Sequence, residues 1–289
     1  MRTAETIRQE IRKIREISTL PQVMQRVMQI IIDERSSARD LADEISRDQA
    51  LTAKILKIVN SAFFGFYRKI SSIQDAVVIL GYSEVRSIAI TVSVFNLLGQ
   101  GKRGAHFDRV RLWEHCLAVG TLADILRREC VKTEQGEGAF VAGLLHDIGK
   151  VILDEYFAPE WTEVVRCSQS TGRAIRDVED EMLGITHGEI GYLVCERWNL
   201  PPAIDGAILR HHTPPLGREG GATLDALVYL ANTLVKKEEI GFSGDCHLWP
   251  VTGELLQAID LKEHELETIK ILFMKKTAAI KALIEQLSA

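Results

Sequence analysis

Proline is scarce, at 7 of 289 residues, so little interrupts helix formation along the chain. Cysteine is sparse as well. Cys116, Cys130, Cys167, Cys195 and Cys246 are odd in number and widely spaced, with no C-x-x-C pair. This excludes a disulfide framework and reads as a reducing compartment. No apolar run is long enough to span a bilayer; the longest, Ile88 to Leu98, contains Thr91, Ser93 and Asn96. The N-terminus, MRTAETIRQEIRKIREI, is charged throughout, unlike a secretory signal. Excess positive charge is missing too: the net charge of -5 argues against general nucleic-acid binding. The expectation is a cytoplasmic protein with no membrane partner. Hydrophobic content of 46% and charged content of 26% are those of an ordinary globular chain.

Sustained period-two alternation is nearly absent, as are internal repeats and low-complexity tracts, so the expected fold class is all-α. Ile7, Ile11, Ile14 and Ile17 mark a first helix over 4–17, and Pro21 opens a second through Val23, Val27, Ile30 and Ile31. Ser37 with Asp40, and Ser72 with Asp75, have the spacing of helix caps. A helix from Ala50 to Ser61 leads into an aromatic turn, Phe63 to Tyr67, whose rings are expected to cover the core. Ser83 to Leu98 is read as helix despite its β-branched content. The Gly-rich break Gly99 to Gly104 divides the chain into 1–100 and 101–240, with an extension over 241–289.

Beyond that break, helices are expected over 107–128, 138–147, 150–156, 159–170, 174–183 and 224–237. Thr186 and Glu189 form a T-x-x-E capping box, which starts a helix running to Trp198. Pro201-Pro202 starts another, ending at His211-His212 before Pro214. Gly241 to Pro250 is read as loop, and 263–287 as a single last helix.

Six of eight histidines fall between 106 and 212: His106, His115, His146, His187, His211 and His212. His146 is followed by Asp147, then Gly149, which can break a helix, and Lys150. Imidazole nitrogens and a carboxylate are the donors that borderline divalent metals take, and Asp147 could bridge two ions. His115, His146 and Asp147 would serve one ion; His187 with His211 or His212, sharing Asp147, would serve a second. Lys150, one turn past the acid, could approach a phosphate. Fe, Mn, Zn and Ni all suit mixed ligands of this kind. Taken singly, each histidine is more often a hydrogen-bonded core residue or a charge at a helix end than a ligand.

Their order is more telling. His115, His146-Asp147-Ile148-Gly149-Lys150, His187 and His211-His212 resemble the H…HDxxK…H…HH order of the HD superfamily, particularly the HD-GYP cyclic-di-GMP phosphodiesterases. The segments Leu20-Pro21, Asp48 to Gly65 and Ile73 to Gly81 resemble an HDOD domain, as do His187 to Gly191 and Trp198 to Pro201. That resemblance covers roughly 19–235 and implies a multi-helix HD-type bundle with a helical N-terminal region. It also implies a bacterial signalling or regulatory module. Two departures count against hydrolysis. Thr213-Pro214-Pro215-Leu216-Gly217 lacks a G-Y-P signature, and the late carboxylate of the HD pattern is replaced by Asn232, a poorer ligand that cannot act as a base.

Three readings follow. The leading one is a regulatory HDOD module that retains a metal pocket and meets a protein partner of a signalling pathway through its N-terminal helices, with Phe63 to Tyr67 as an anchor. The alternative is a metal-dependent phosphohydrolase acting on a nucleotide or cyclic nucleotide, with Asp147 and Lys150 as catalytic residues. The third is a purely structural helical protein whose histidines are relics.

Overall fold

The computed structural model describes residues 2–14, 25–27, 29–30, 36–60, 69–98, 107–131, 138–214 and 223–288. Helices fill these stretches, and no strand occurs among the described residues. The aromatic turn, the Gly-rich break, His106, Leu20-Pro21 and most of the helix expected around Val23 lie outside them.

The chain divides into two compact units. The smaller comprises Leu20–Gln100 and Ala278–Ala289. It contains α2 (Ala38–Ser46), α3 (Gln49–Val59), α4 (Ile73–Leu80), α5 (Tyr82–Leu98) and nearly all of α16 (Thr277–Ser288). Ser37 and Asp40 complete the capping box that starts α2, and Ser72 caps α4. Such caps contribute about 1 kcal/mol each. In α5, Val85, Ile88, Ala89, Val92 and Phe95 are buried at helical spacing. That stripe prevails over the weak strand preference of its β-branched residues. Thr91 satisfies its buried hydroxyl by donating to the Ser87 carbonyl, 2.8 Å away.

The larger unit comprises Met1–Thr19 and Gly101–Thr277. Its helices are α1 (Ala4–Lys13), α6 (Arg109–Cys130), α7 (Ala139–Leu145), α8 (Ile148–Tyr156), α9 (Ala158–Thr171), α10 (Ile175–Leu183), α11 (His187–Arg197), α12 (Pro202–Arg210), α13 (Thr223–Lys237), α14 (Gly253–Ala258) and α15 (Leu266–Met274). Helix α6 buries 14 of its 22 residues and forms the centre, packed by α7, α13 and α15. Helix α11 packs between α8 and α12. No helix among the described residues is long and apolar enough to cross a membrane.

Two expected boundaries move. The expected helix over 263–287 is broken at Lys275-Lys276, which separates α15, packed on α6, from α16 in the smaller unit. The helix break near the His-Asp pair falls at His146-Asp147 rather than at Gly149. Asp147 leaves helical geometry at φ -101° and ψ 13°, whereas Gly149 lies inside α8. Gly149 is there for contact: a Cβ on it would lie 2.0 Å from the His187 carbonyl oxygen. The same device brings α6 against α7, where a Cβ on Gly143 would lie 2.7 Å from the Cα of Gly120. These backbone approaches bring His115, His146 and His187 to one place.

Candidate metal centre

All six predicted metal-site residues and Lys150 converge in the larger unit and are buried. His115 comes from α6, His146-Asp147 from the turn between α7 and α8, Lys150 from α8, His187 from the first position of α11, and His211-His212 from the end of α12. Ligand atoms of Asp147, His187, His211 and His212 lie within 4.8 Å of one another, as do those of His115, His146 and Asp147.

Hydrogen bonds on the far side of three of the rings set their orientation. His146 Nδ1 is 2.7 Å from the Gly143 carbonyl, and His211 Nδ1 is 2.7 Å from the Ile208 carbonyl. A carbonyl can only accept, so these Nδ1 atoms carry the proton and each Nε2 presents a lone pair inward. His187 is held more firmly. Its Nδ1 is 2.6 Å from Glu179 Oε2, and its backbone N–H donates to the same oxygen at 2.8 Å. Such outer partners orient metal-binding imidazoles and raise their basicity.

Inside the cluster, His187 Nε2 lies 3.1 Å from His211 Nε2 and 3.0 Å from His212 Nε2. Asp147 Oδ1 is 3.2 Å from His187 Nε2 and 3.6 Å from His211 Nε2, yet accepts no hydrogen bond. His146 Nε2 and His212 Nδ1 also lack partners, although His146 Nε2 lies 3.3 Å from Asp147 Oδ2. Lone pairs that converge in a water-poor interior repel unless a positive charge stands among them. Zn–N bonds of about 2.0–2.1 Å in a tetrahedron imply donor separations of about 3.3 Å. The four separations above bracket that value, so three imidazoles and Asp147 Oδ1 fit a single divalent cation.

The polar surround is equally closed. Lys150 Nζ donates to Asp147 Oδ2 at 2.8 Å and to the Ser243 carbonyl at 2.9 Å. His115 Nε2 is 3.0 Å from Asn232 Oδ1. Asp245 pairs with Lys236 and accepts from the Ile175 amide at 3.0 Å. The loop 241–250 is thereby tied across the site, and Gly241 permits its approach: a Cβ there would lie 2.3 Å from the His115 amide nitrogen. A cleft of about 360 Å³ under this loop is bordered by Arg111, His115, Lys236 and Phe242.

Burial pushes His211 down to about 3, and pushes His115 and His212 well below 6.5, where neighbouring imidazoles add to the effect. Burial opposes charge on His187 most strongly, but the Glu179 and Asp147 carboxylates together outweigh it and raise that group. Burial would raise Asp147, yet His146 and the Lys150 ammonium together hold it well below 3.8. As pH falls through about 6.5, the unfolded chain binds protons that His115, His211 and His212 refuse in the fold, so stability present above that pH is lost on acidification. His187, raised, has the opposite sign, and Asp147 adds to the loss below 3.8. Between pH 7 and pH 5 each neutral imidazole costs about 2 kcal/mol, only partly offset by His187. Urea midpoints measured in chelator should fall across that interval; a flat or rising profile would mean that these rings protonate in place.

Glu179 is absent from the sequence expectations. It lies in an acidic run, Asp177 to Glu181, that reads as a solvated face. Its signal is spacing: Glu179 stands four residues from both Ile175 and Leu183, on the buried stripe of α10. The loop carrying Ser243 and Asp245 is the other omission. Nothing local marks it as a neighbour of His115.

Similarities to known proteins agree with this architecture. An HDOD domain protein of unknown function from Geobacter sulfurreducens has a TM-score of 0.76 at 27% identity, covering 93% of this chain and 92% of that one. A Shewanella amazonensis SB2B protein, provisionally named a phosphohydrolase, gives 0.72 at 22% identity over 96% and 97% of the two chains. A Marinobacter aquaeolei VT8 protein, provisionally named for signal transduction, gives 0.78 at 22% over 93% and 59%. At those identities the last two show a shared fold. The chain spans less than half the length of the curated relatives it matches. Residues 17–214 match the HDOD domain, and the chain belongs to that family.

Proposed function

We propose that this chain is a regulatory HDOD module of a signalling pathway, in which a divalent metal holds the larger unit together rather than turning over a substrate. One observation carries the reading. The larger of the two donor groups has four members, three imidazole nitrogens and one carboxylate oxygen, and all are buried. Four protein donors fill a tetrahedral ion and leave no position for water, the closed coordination that separates a structural site from a catalytic one. A metal ion there supplies positive charge that joins α11 and α12 to the His146-Asp147 turn. The chain's own residues do the rest: Glu179 orients His187, the Gly143 and Ile208 carbonyls orient His146 and His211, and the tied loop excludes water. Output then passes to a protein partner through the smaller unit, where Val78 and Ile79 of α4 stand exposed.

The second reading, a metal-dependent phosphohydrolase of a nucleotide or cyclic nucleotide with Asp147 and Lys150 as catalytic residues, is favoured by the second donor group, His115, His146 and Asp147. Activity and stability measurements separate the two. Zinc, manganese or iron should raise the unfolding temperature by several degrees, while hydrolysis of bis-p-nitrophenyl phosphate and of cyclic dinucleotides stays at the buffer rate. Turnover that is lost in Asp147→Asn would establish the hydrolase instead.

A further inference from the structure

We propose that the pocket takes one divalent cation and that the Lys150 ammonium occupies the place of the second. This deepens the metal-pocket reading above and rests on it. Two independent contacts point the same way. The first is at Asp147, whose two oxygens face different neighbours. Oδ1 faces His187 and His211, at 3.2 and 3.6 Å, and accepts no hydrogen bond. Oδ2 accepts the Lys150 ammonium at 2.8 Å, and the same ammonium is held on its other side by the Ser243 carbonyl at 2.9 Å. A carboxylate that bridges two ions must offer one oxygen to each. Here the second oxygen is taken by a fixed cation of the protein, and a divalent ion placed beside it would meet like charge with little solvent to screen it.

The second contact is at His115. Its Nε2 is 3.0 Å from Asn232 Oδ1, and both side chains are buried. Whichever way the Asn232 amide is turned, Nε2 is spent. Against the amide oxygen it must carry a proton and donate; against the amide nitrogen its lone pair must accept. An amide in place of a carboxylate also removes the anionic donor that a second ion would need. Of the donors on that side, His146 Nε2 alone lacks a partner, and one imidazole does not hold an ion.

Stoichiometry decides the matter. The full-length chain, stripped with chelator and equilibrated with zinc and separately with manganese, should hold one ion by elemental analysis after dialysis. The double variant Asn232→Asp/Lys150→Met should hold two, because it restores a carboxylate and removes the ammonium. Two ions in the wild type overturn the proposal, as does one ion in a double variant whose helical circular dichroism is intact. If the double variant does not fold, His115→Gln serves instead. It should bind the one ion within about threefold of wild type, and a loss of about 10–100-fold, the range seen when even an outer partner of a metal ligand is removed, would overturn the assignment. No ion in the wild type removes the pocket reading itself, and this inference with it.

Discussion

Asp147→Ala is expected to cost about 3–5 kcal/mol of stability even in chelator, and to abolish metal binding as well. The stability loss comes from Lys150 rather than from the missing carboxylate. Lys150 is 1% exposed, so its ammonium cannot reach water when Asp147 is removed, and the Ser243 carbonyl remains as its hydrogen-bond partner. Burial works against that charge, and the carboxylates of Asp147 and Asp245 are what keep it protonated. A charge left alone in a low-dielectric interior costs more than the pair contributes. A second variant separates pairing from metal: Asp147→Leu/Lys150→Met should recover most of the stability in chelator while remaining unable to bind zinc. Chelator-treated Asp147→Ala with the wild-type urea midpoint would show that Lys150 finds another partner, and the argument would fail.

Gly149→Ala should be strongly damaging. The added Cβ would stand 2.0 Å from the His187 carbonyl oxygen and 2.9 Å from its Cα. These are backbone atoms, which cannot swing aside as a side chain can. Helices α8 and α11 would have to part, moving His187 away from Asp147. Overpacking ordinarily costs 1–3 kcal/mol, and a clash of backbone with Cβ belongs at or above the top of that range, about 3 kcal/mol or more. Metal affinity should fall with it, because donor separations of 3.0–3.2 Å leave little slack. Gly253→Ala is the matched control. No heavy atom lies within 4 Å of its added Cβ, so stability and zinc affinity should stay near wild type. Equal effects of the two substitutions in thermal melts would remove the close-contact explanation.

Much of this architecture is local, and local structure was legible. Apolar residues at helical spacing marked the elements, and the T-x-x-E box placed His187 in the first turn of its helix, where Thr186 and Glu189 do form the capping box. The histidine order marked the residues that the fold brings together. The helix and cap readings depend on residues three or four positions apart, and a linear pattern records such neighbours; the histidine order was legible through its resemblance to a known family.

Pairings across the chain were not legible. Lys150 meets Ser243 at a separation of 93 residues, and His115 meets Asn232 at 117. Asn232 stood out as an amide where a carboxylate was expected, and His115 as a candidate ligand, but their pairing did not. Gly149 looked like a helix breaker because glycine's local preference is all that a one-dimensional reading weighs. Its actual work, letting α8 reach the backbone at His187, exists only after the two helices pack. Glu179 was not singled out within the acidic run Asp177 to Glu181, and only the packing of α10 turns it toward His187. Periodicity specified which face of each helix is buried; packing decided which faces meet, and so which donors stand about 3 Å apart.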